Sequence, residues 1–284
     1  MLAKPQMWLP GINRQHPHAR GLDGCWPMQQ GAGSTALDVS GHQHHAILTN
    51  MHPPTDWVGS SLGWALDCDA NDDHLNAGDV GNYTSEDFSA VALVKTNNAG
   101  ATQMIASTGV TSVSGWFWQL TGGVITFTTN QGAAAQVTIS AAGYLTSNRW
   151  MHLAVTRRGA TCRLFVDGVE TAYAFAAAHT DPASGVDLRI GIHGDGTSNP
   201  WDGQLSSFAV YHRDLAPSLI ARMAADPFAM LRLRRPPWCL PDWVNLQPSL
   251  TVRYIIRAQP VTSWLGSAAV GPGSHVIAKA LGSG

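Results

Sequence analysis

The stretch RWMHLAVTRRGATCRLFVDGVETA, Arg149 to Ala172, decides the fold class. Apolar residues dominate from Trp150 to Thr156. After the polar tetrad Arg157-Arg158-Gly159-Ala160, a second run places Cys162, Leu164 and Val166 at alternate positions. Alternation with period two puts those three on one buried face of a strand. Asp167-Gly168 then supplies a dipeptide that accepts the positive φ of a tight hairpin turn, and Val169 opens the next strand. The expectation is an antiparallel meander in which His152, alternating with Trp150 and Ala154, is structural.

The rest of the chain has the same texture. FSAVALVK, GWFWQL, GVITFTTN, AAQVTISA, VDLRIGIHG and GQLSSFAVYHR are short strand-like runs separated by Gly, Asn and Asp. Many short strands at this spacing indicate a sandwich or barrel. PSLIARMAA, Pro217 to Ala225, is the exception, with Leu219, Ile220 and Met223 on one side and Pro at the first helical turn. It predicts one short helix. Trp116 and Trp118 share a strand face with Leu120, which favours core packing over an exposed platform.

Composition narrows the function. The 284 residues are 44% hydrophobic, enough for a large undivided core, and all-β domains reach this size as single units. Charged residues make up 13%, against roughly 25% in a typical soluble protein, and the formal net charge is −2. Such a surface has no field to hold a phosphate backbone or an anionic bilayer, so nucleic acid and membrane are excluded as partners. No run approaches the ~20 apolar residues that span a bilayer. The N-terminus lacks the apolar core and small-residue cleavage site of a signal peptide. The four cysteines, Cys25, Cys68, Cys162 and Cys239, are dispersed and form no CxxC, which predicts buried free thiols in a chain made in a reducing cytoplasm.

Three regions follow: an extended N-terminal arm over residues 1–20, rich in Pro, His and Arg; a β domain over 21–230; and a Pro-rich spacer with a C-terminal arm over 231–284. The arm's SLTVRYIIRA, Ser249 to Ala258, alternates as a strand. A lone strand with one apolar side pairs with a sheet edge or a partner surface.

The order of motifs is that of a known family. GLDGCWPMQQGAGSTALDVSGHQHHAILTN (21–50), GWALDCDANDDHLNAG (63–78), FSAVALVKT (88–96), the hairpin of 149–172 and WDGQLSSFAVYHRDLAPSLIARMAADPF (201–228) resemble a laminin-G-like domain of the concanavalin-A-like lectin and glucanase superfamily. The Trp150-x-His152 strand, the Leu164-x-Val166-Asp167-Gly168 turn, and the strand that runs from Gly203-x-Leu205 through Val210-Tyr211 to Leu215 and into a helix carry the resemblance. It implies an all-β fold, a two-sheet antiparallel jelly-roll sandwich, here with one short C-terminal helix and extended terminal arms.

That superfamily holds enzymes as well as binders. Its retaining glucanases carry two carboxylates about 5 Å apart in a Glu-x-Asp-x-x-Glu type segment. This chain has two glutamates, Glu86 and Glu170, neither in such a segment, so a hydrolase is not expected. DCDANDD, Asp67 to Asp73, has an EF-hand's first spacings but Asp72 where the loop needs Gly, and no Glu at position twelve; it reads as a strand end and turn. The resemblance implies calcium on the sandwich rim, with Asp38 of ALDVSG as its acidic ligand, although Ser206 and Ser207 stand where relatives usually carry Asp. His42, His44 and His45 have no Cys or Glu at ligand spacing and read as a solvated turn with one packed histidine.

Glycan binding needs aromatic platforms and a few placed polar groups. The loop GIHGDGTSNPWDG concentrates His193, Asp195, Asn199 and Trp201 between two strands, on a rim expected to face solvent. The opposing reading is a hydrophilic loop whose Trp caps the core. The flank INRQHPHARGLDGCWPMQQGAG resembles the start of laminin-G-like proteins of tailed phages, where an Asn-x-x-His-Pro arm precedes the first strand. The resemblance implies a non-enzymatic virion protein made in the host cytoplasm, a capsid decoration or a head or tail appendage, with glycan-binding capacity on the rim. Its partners would be a major capsid or tail protein, further copies of itself, and a cell-surface glycan. The alternative is a free carbohydrate-binding module or host-glycan receptor-binding protein.

Overall fold

The structure, a computed structural model, describes Lys4 and residues 12–232. In chain order the strands are β1 Leu22–Trp26, β2 Thr35–Ala36, β3 Ala46–Thr49, β4 Trp57–Ser60, β5 Gly63–Asp69, β6 His74–Asn76, β7 Phe88–Thr96, β8 Gln103–Ser107 and β9 Trp116–Thr121. They continue with β10 Val124–Gln131, β11 Ala134–Ser140, β12 Met151–Arg158, β13 Thr161–Val166, β14 Val169–Glu170, β15 Tyr173–Ala176, β16 Arg189–Ile190 and β17 Asp202–Tyr211. The predicted helix is α2, Pro217–Ala225; a single-turn helix α1, Pro53–Asp56, was not foreseen.

The opening stretch forms β12, β13 and β14 in antiparallel register, with Leu153 opposite Val166 and Val155 opposite Leu164. Cys162, Leu164 and Val166 face the core as alternation requires. Asp167 and Gly168 take φ 49° and 84°, the two left-handed positions of a two-residue hairpin turn. One boundary differs from expectation. The polar tetrad is not all turn: Arg157 and Arg158 remain in β12, and only Gly159-Ala160 link the strands. Arg157 has 1% of its side chain exposed, because its guanidinium satisfies Thr84 O (2.6 Å) and Asp181 Oδ1 (2.6 Å) within the fold.

Two sheets pack face to face. One orders its strands β14-β13-β12-β7-β17-β5-β4, with β1 also on β17; the other runs β15-β11-β10-β9-β8-β16-β6-β3-β2. Between them lie Trp26, Phe88, Trp116, Trp118, Phe127, Leu153, Leu164 and Phe208. Trp116 and Trp118 are fully buried, core residues as their strand pattern predicted. Leu205, Phe208 and Val210 all point into this core, a spacing that strict alternation forbids. A bulge between Leu205 and Ser207 resets the phase.

A second apolar layer covers the outer face of the first sheet. His152, Ala154, Val91, Leu93 and Tyr211 lie under Leu219, Ile220 and Met223 of α2, with Phe228, Met230 and Leu231 completing the cover. Gly168 sits against α2, where an added Cβ would lie 2.8 Å from the Ala221 Cα. Residues of the expected N-terminal arm join this layer: Ile12 packs on it, and Asn13 N donates to Met230 O (2.8 Å). Cys25, Cys68 and Cys162 are buried free thiols. Cys239 and the predicted strand 249–258 lie outside the described residues.

Candidate functional site

The loop between β16 and β17 does not present the surface expected of it. Trp201 is fully buried in the inter-sheet core and offers no ring to a sugar. His193 is 5% exposed; it packs edge-on against Phe117, and its Nε2 meets Thr111 Oγ1 at 3.2 Å. Asp195 accepts from the Thr197 and Ser198 N–H groups (2.9 Å each) and from Ser198 Oγ (2.6 Å). Burial opposes its charge, but these bonds and His193 outweigh that cost and hold the carboxyl well below the usual range. Asn199 takes φ 53°, and its carbonyl accepts Met104 N (2.8 Å). The loop therefore lies latched across the second sheet through its own polar groups. His193 and Asp195 come together, but to hold the loop; of the four, His193 and Trp201 are corrected to structural residues.

Asp38 is likewise a staple and not a calcium ligand. Its Oδ1 accepts Cys25 N (2.9 Å) and Ser40 N (2.8 Å), and its Oδ2 accepts Ser40 Oγ (2.6 Å) and His44 N (3.1 Å). Four hydrogen bonds occupy the acceptor sites of one carboxylate. Ser206, at the β17 bulge, is fully buried. These residues do not fit a hard cation that wants several free oxygens. The Asp-rich segment is the predicted strand end and turn, built by Asp69 Oδ1 on Asn71 N (2.9 Å) and Asp73 Oδ2 on Asp69 N (3.2 Å).

The two glutamates are far apart in role and partners. Glu170 forms a forked pair with Arg163 (3.0 and 2.5 Å) and accepts Tyr173 Oη (2.9 Å); the Arg163 bonds keep it ionised. Glu86 accepts Thr84 N (2.9 Å), and backbone N–H groups hold its carboxyl below the usual value. Each glutamate is thus tied to its own local partners, Glu170 to Arg163 and Tyr173 and Glu86 to backbone N–H groups, and the two are not brought together as the carboxylate pair of a retaining glycosidase.

The feature that sequence reading missed is an open cleft of about 720 Å³ lined by Ser85, Glu86, Asp87, Arg158, His212, Arg213 and Asp214. Three segments build it: the connection into β7, the end of β12, and the exit from β17. The buried Arg157 guanidinium ties the first to the loop after β15, and Asp87 Oδ1 accepts Gly159 N (2.7 Å). His212 leans on Tyr83, ring centres 5.4 Å apart. Carboxylates and guanidiniums on a pinned frame give planar, two-point acceptors and donors, the geometry that adjacent hydroxyls of a sugar satisfy. No local motif announces this cleft, since each contributing loop looks merely hydrophilic.

A comparison with curated proteins found no match. Among solved structures, the binding domain of Paraclostridial Mosquitocidal Protein 1 superposes with TM-score 0.57 at 14% identity, covering 74% of this chain and 53% of that one. The receptor binding domain of botulinum neurotoxin D superposes with TM-score 0.53 at 13% identity over 73% and 53%. This chain thus spans about half the length of those two. Domain 4 of AbnA, a GH43 extracellular arabinanase from Geobacillus stearothermophilus, solved with arabinotriose, gives TM-score 0.50 at 14% identity over 72% of this chain and 98% of that one. These likenesses establish the sandwich. The sequence itself matches a family model over residues 69–221, more than half of the chain. With that match and its two-sheet jelly-roll, the chain belongs to the concanavalin A-like lectin/glucanases superfamily.

Proposed function

We propose that this protein is a non-catalytic glycan-recognition protein that binds saccharide hydroxyls in the cleft lined by Glu86, Asp87, Arg158, His212, Arg213 and Asp214. The cleft carries the reading: it is a broad, open depression with a wholly polar lining suited to hydroxyl groups, and two of its carboxylates, Glu86 and Asp87, are held by the backbone N–H groups of Thr84 and Gly159. The family holds binders and hydrolases, and two glutamates engaged with separate local partners, Glu170 with Arg163 and Glu86 with Thr84 N, favour the binder. Domain 4 of the arabinanase AbnA, solved with arabinotriose, and the neurotoxin's receptor binding domain are similar in fold, which supports the same reading.

The N-terminal Asn13-x-x-His16-Pro17 segment, similar to that of tailed-phage proteins, points to a virion surface as the place of display, with capsid or tail proteins and further copies of the chain as partners. Glycan-array binding of the full chain, repeated with Arg158→Ala and Glu86→Gln, tests the first part. Binding that falls more than tenfold in both variants is expected; retention in both would remove the cleft from the function. Electron microscopy of particles from the native source tests the second. Labelling of a particle surface by antibody against the protein is expected, and its confinement to the particle-free fraction would leave the free-module alternative.

A further inference from the structure

The histidine turn, read from sequence as solvated, acquires a partner in three dimensions. His42 Nδ1 lies 3.3 Å from Asp23 Oδ1, and ligand atoms of Asp23, His42 and His44 all fall within 4.8 Å of one another. Asp23 comes from β1, whereas both histidines come from the loop before β3. We propose that Asp23, His42 and His44 form a three-ligand site for zinc, with water in the remaining position.

The geometry favours it. Zinc bonds of 2.0–2.2 Å set neighbouring donors about 3.3 Å apart on a tetrahedron, the separation already found between Asp23 and His42. A plain surface ion pair accounts for those two residues but not for His44. Gln43 between the histidines takes φ 66°, folding the turn so that both rings approach, with centres 6.1 Å apart.

Outer contacts hold each ligand in place. Tyr83 Oη donates to Asp23 Oδ2 (2.8 Å), leaving Oδ1 on the histidine side. His44 is fixed from both ends: its N–H donates to Asp38 Oδ2 (3.1 Å), and its carbonyl accepts Trp26 Nε1 (2.6 Å). Ser40 Oγ, which donates to Asp23 O (3.2 Å) and accepts His42 N (3.2 Å), joins strand to loop. The Tyr83 bond is the kind of outer contact that orients a metal-binding carboxylate, while the Ser40, Asp38 and Trp26 bonds fix the backbone that carries the two histidines. Two imidazoles and one carboxylate suit zinc and disfavour calcium, which takes oxygen donors. The side chain of Arg14 lies against Gly41, the residue before His42.

The test is calorimetric titration of tag-free, chelator-stripped full-length protein with Zn²⁺, together with the visible spectrum of the Co²⁺-loaded form. One Zn²⁺ per chain and the intense bands of tetrahedral Co²⁺ are expected. H42A/H44A should abolish both, and Y83F should weaken Zn²⁺ by roughly 10–100-fold, the effect of losing an outer partner. H52A, at an exposed histidine elsewhere, should change neither. If the double variant fails to fold, H42N at a half-exposed side chain carries the test. Absence of Zn²⁺ binding by the native protein, or unchanged binding by H42A/H44A or H42N, would overturn the site.

Discussion

His152 makes the stability of this sandwich depend on acid. It is 1% exposed beneath α2, beside a cavity lined by Cys25, Tyr211, Met223 and Phe228, and neither ring nitrogen has a hydrogen-bond partner among the described residues. Burial pushes its pKa from 6.5 down to about 4. A base with a depressed folded pKa stays neutral in the native state while the unfolded chain takes up a proton. Stability is therefore complete above pH 6.5 and is lost as pH falls, until the folded group also titrates near pH 4. At 1.36 kcal/mol per pH unit, this one side chain removes about 2.5 kcal/mol between pH 7.5 and 4.5. His152→Leu is close in volume and orphans no partner of the ring, so its stability at pH 7.5 should lie within about 1 kcal/mol of the native protein. Urea unfolding at the two pH values is the assay. The native protein should lose about 2.5 kcal/mol more than the variant on acidification, since His18 and His179, also depressed to about 4 by burial, contribute alike to both. Parallel losses, differing by less than about 0.5 kcal/mol, would refute the reasoning.

Trp201→Ala should destabilise by about 3–5 kcal/mol, as removal of a buried indole does, while any glycan affinity of the folded fraction is unchanged; lost affinity at native stability would restore Trp201 as a platform. Gly168→Ala should cost at least about 1 kcal/mol, because its φ of 84° and the α2 backbone 2.8 Å away both oppose a side chain; equal unfolding midpoints would count against this turn geometry. Thiol titration of the denatured, unreduced protein should find all four cysteines, whereas in the native state Cys25, Cys68 and Cys162 should not react, burial raising the Cys162 thiol to about 12 and the other two also; a denatured count of two or fewer would reveal disulfides. Glu170→Gln should lower stability by less than about 1 kcal/mol, because its pair with Arg163 is partly solvated; a loss above 2 kcal/mol would show that solvent does not screen the pair.

Local chemistry was enough to read the hairpin, the core tryptophans and helix α2. Alternation at Cys162, Leu164 and Val166 reports a strand face because successive side chains point to opposite sides whatever lies beyond. Asp167-Gly168 reports its turn because few pairs accept two positive φ angles. Even there the end of β12 was misplaced, since Arg157 is polar by type and buried by its partners Thr84 and Asp181, both distant in the chain. The sites lay further out of reach. Whether Trp201 faces solvent or core depends on which sheet its loop crosses, and whether Asp38 is free depends on Cys25 and Ser40 coming to it. The cleft from Ser85 to Asp214 and the triad of Asp23, His42 and His44 exist only because β17 pairs with both β1 and β7. Strand pairing between remote segments carries no local periodicity, so tertiary structure alone decided which polar side chains converge and which are spent on the fold.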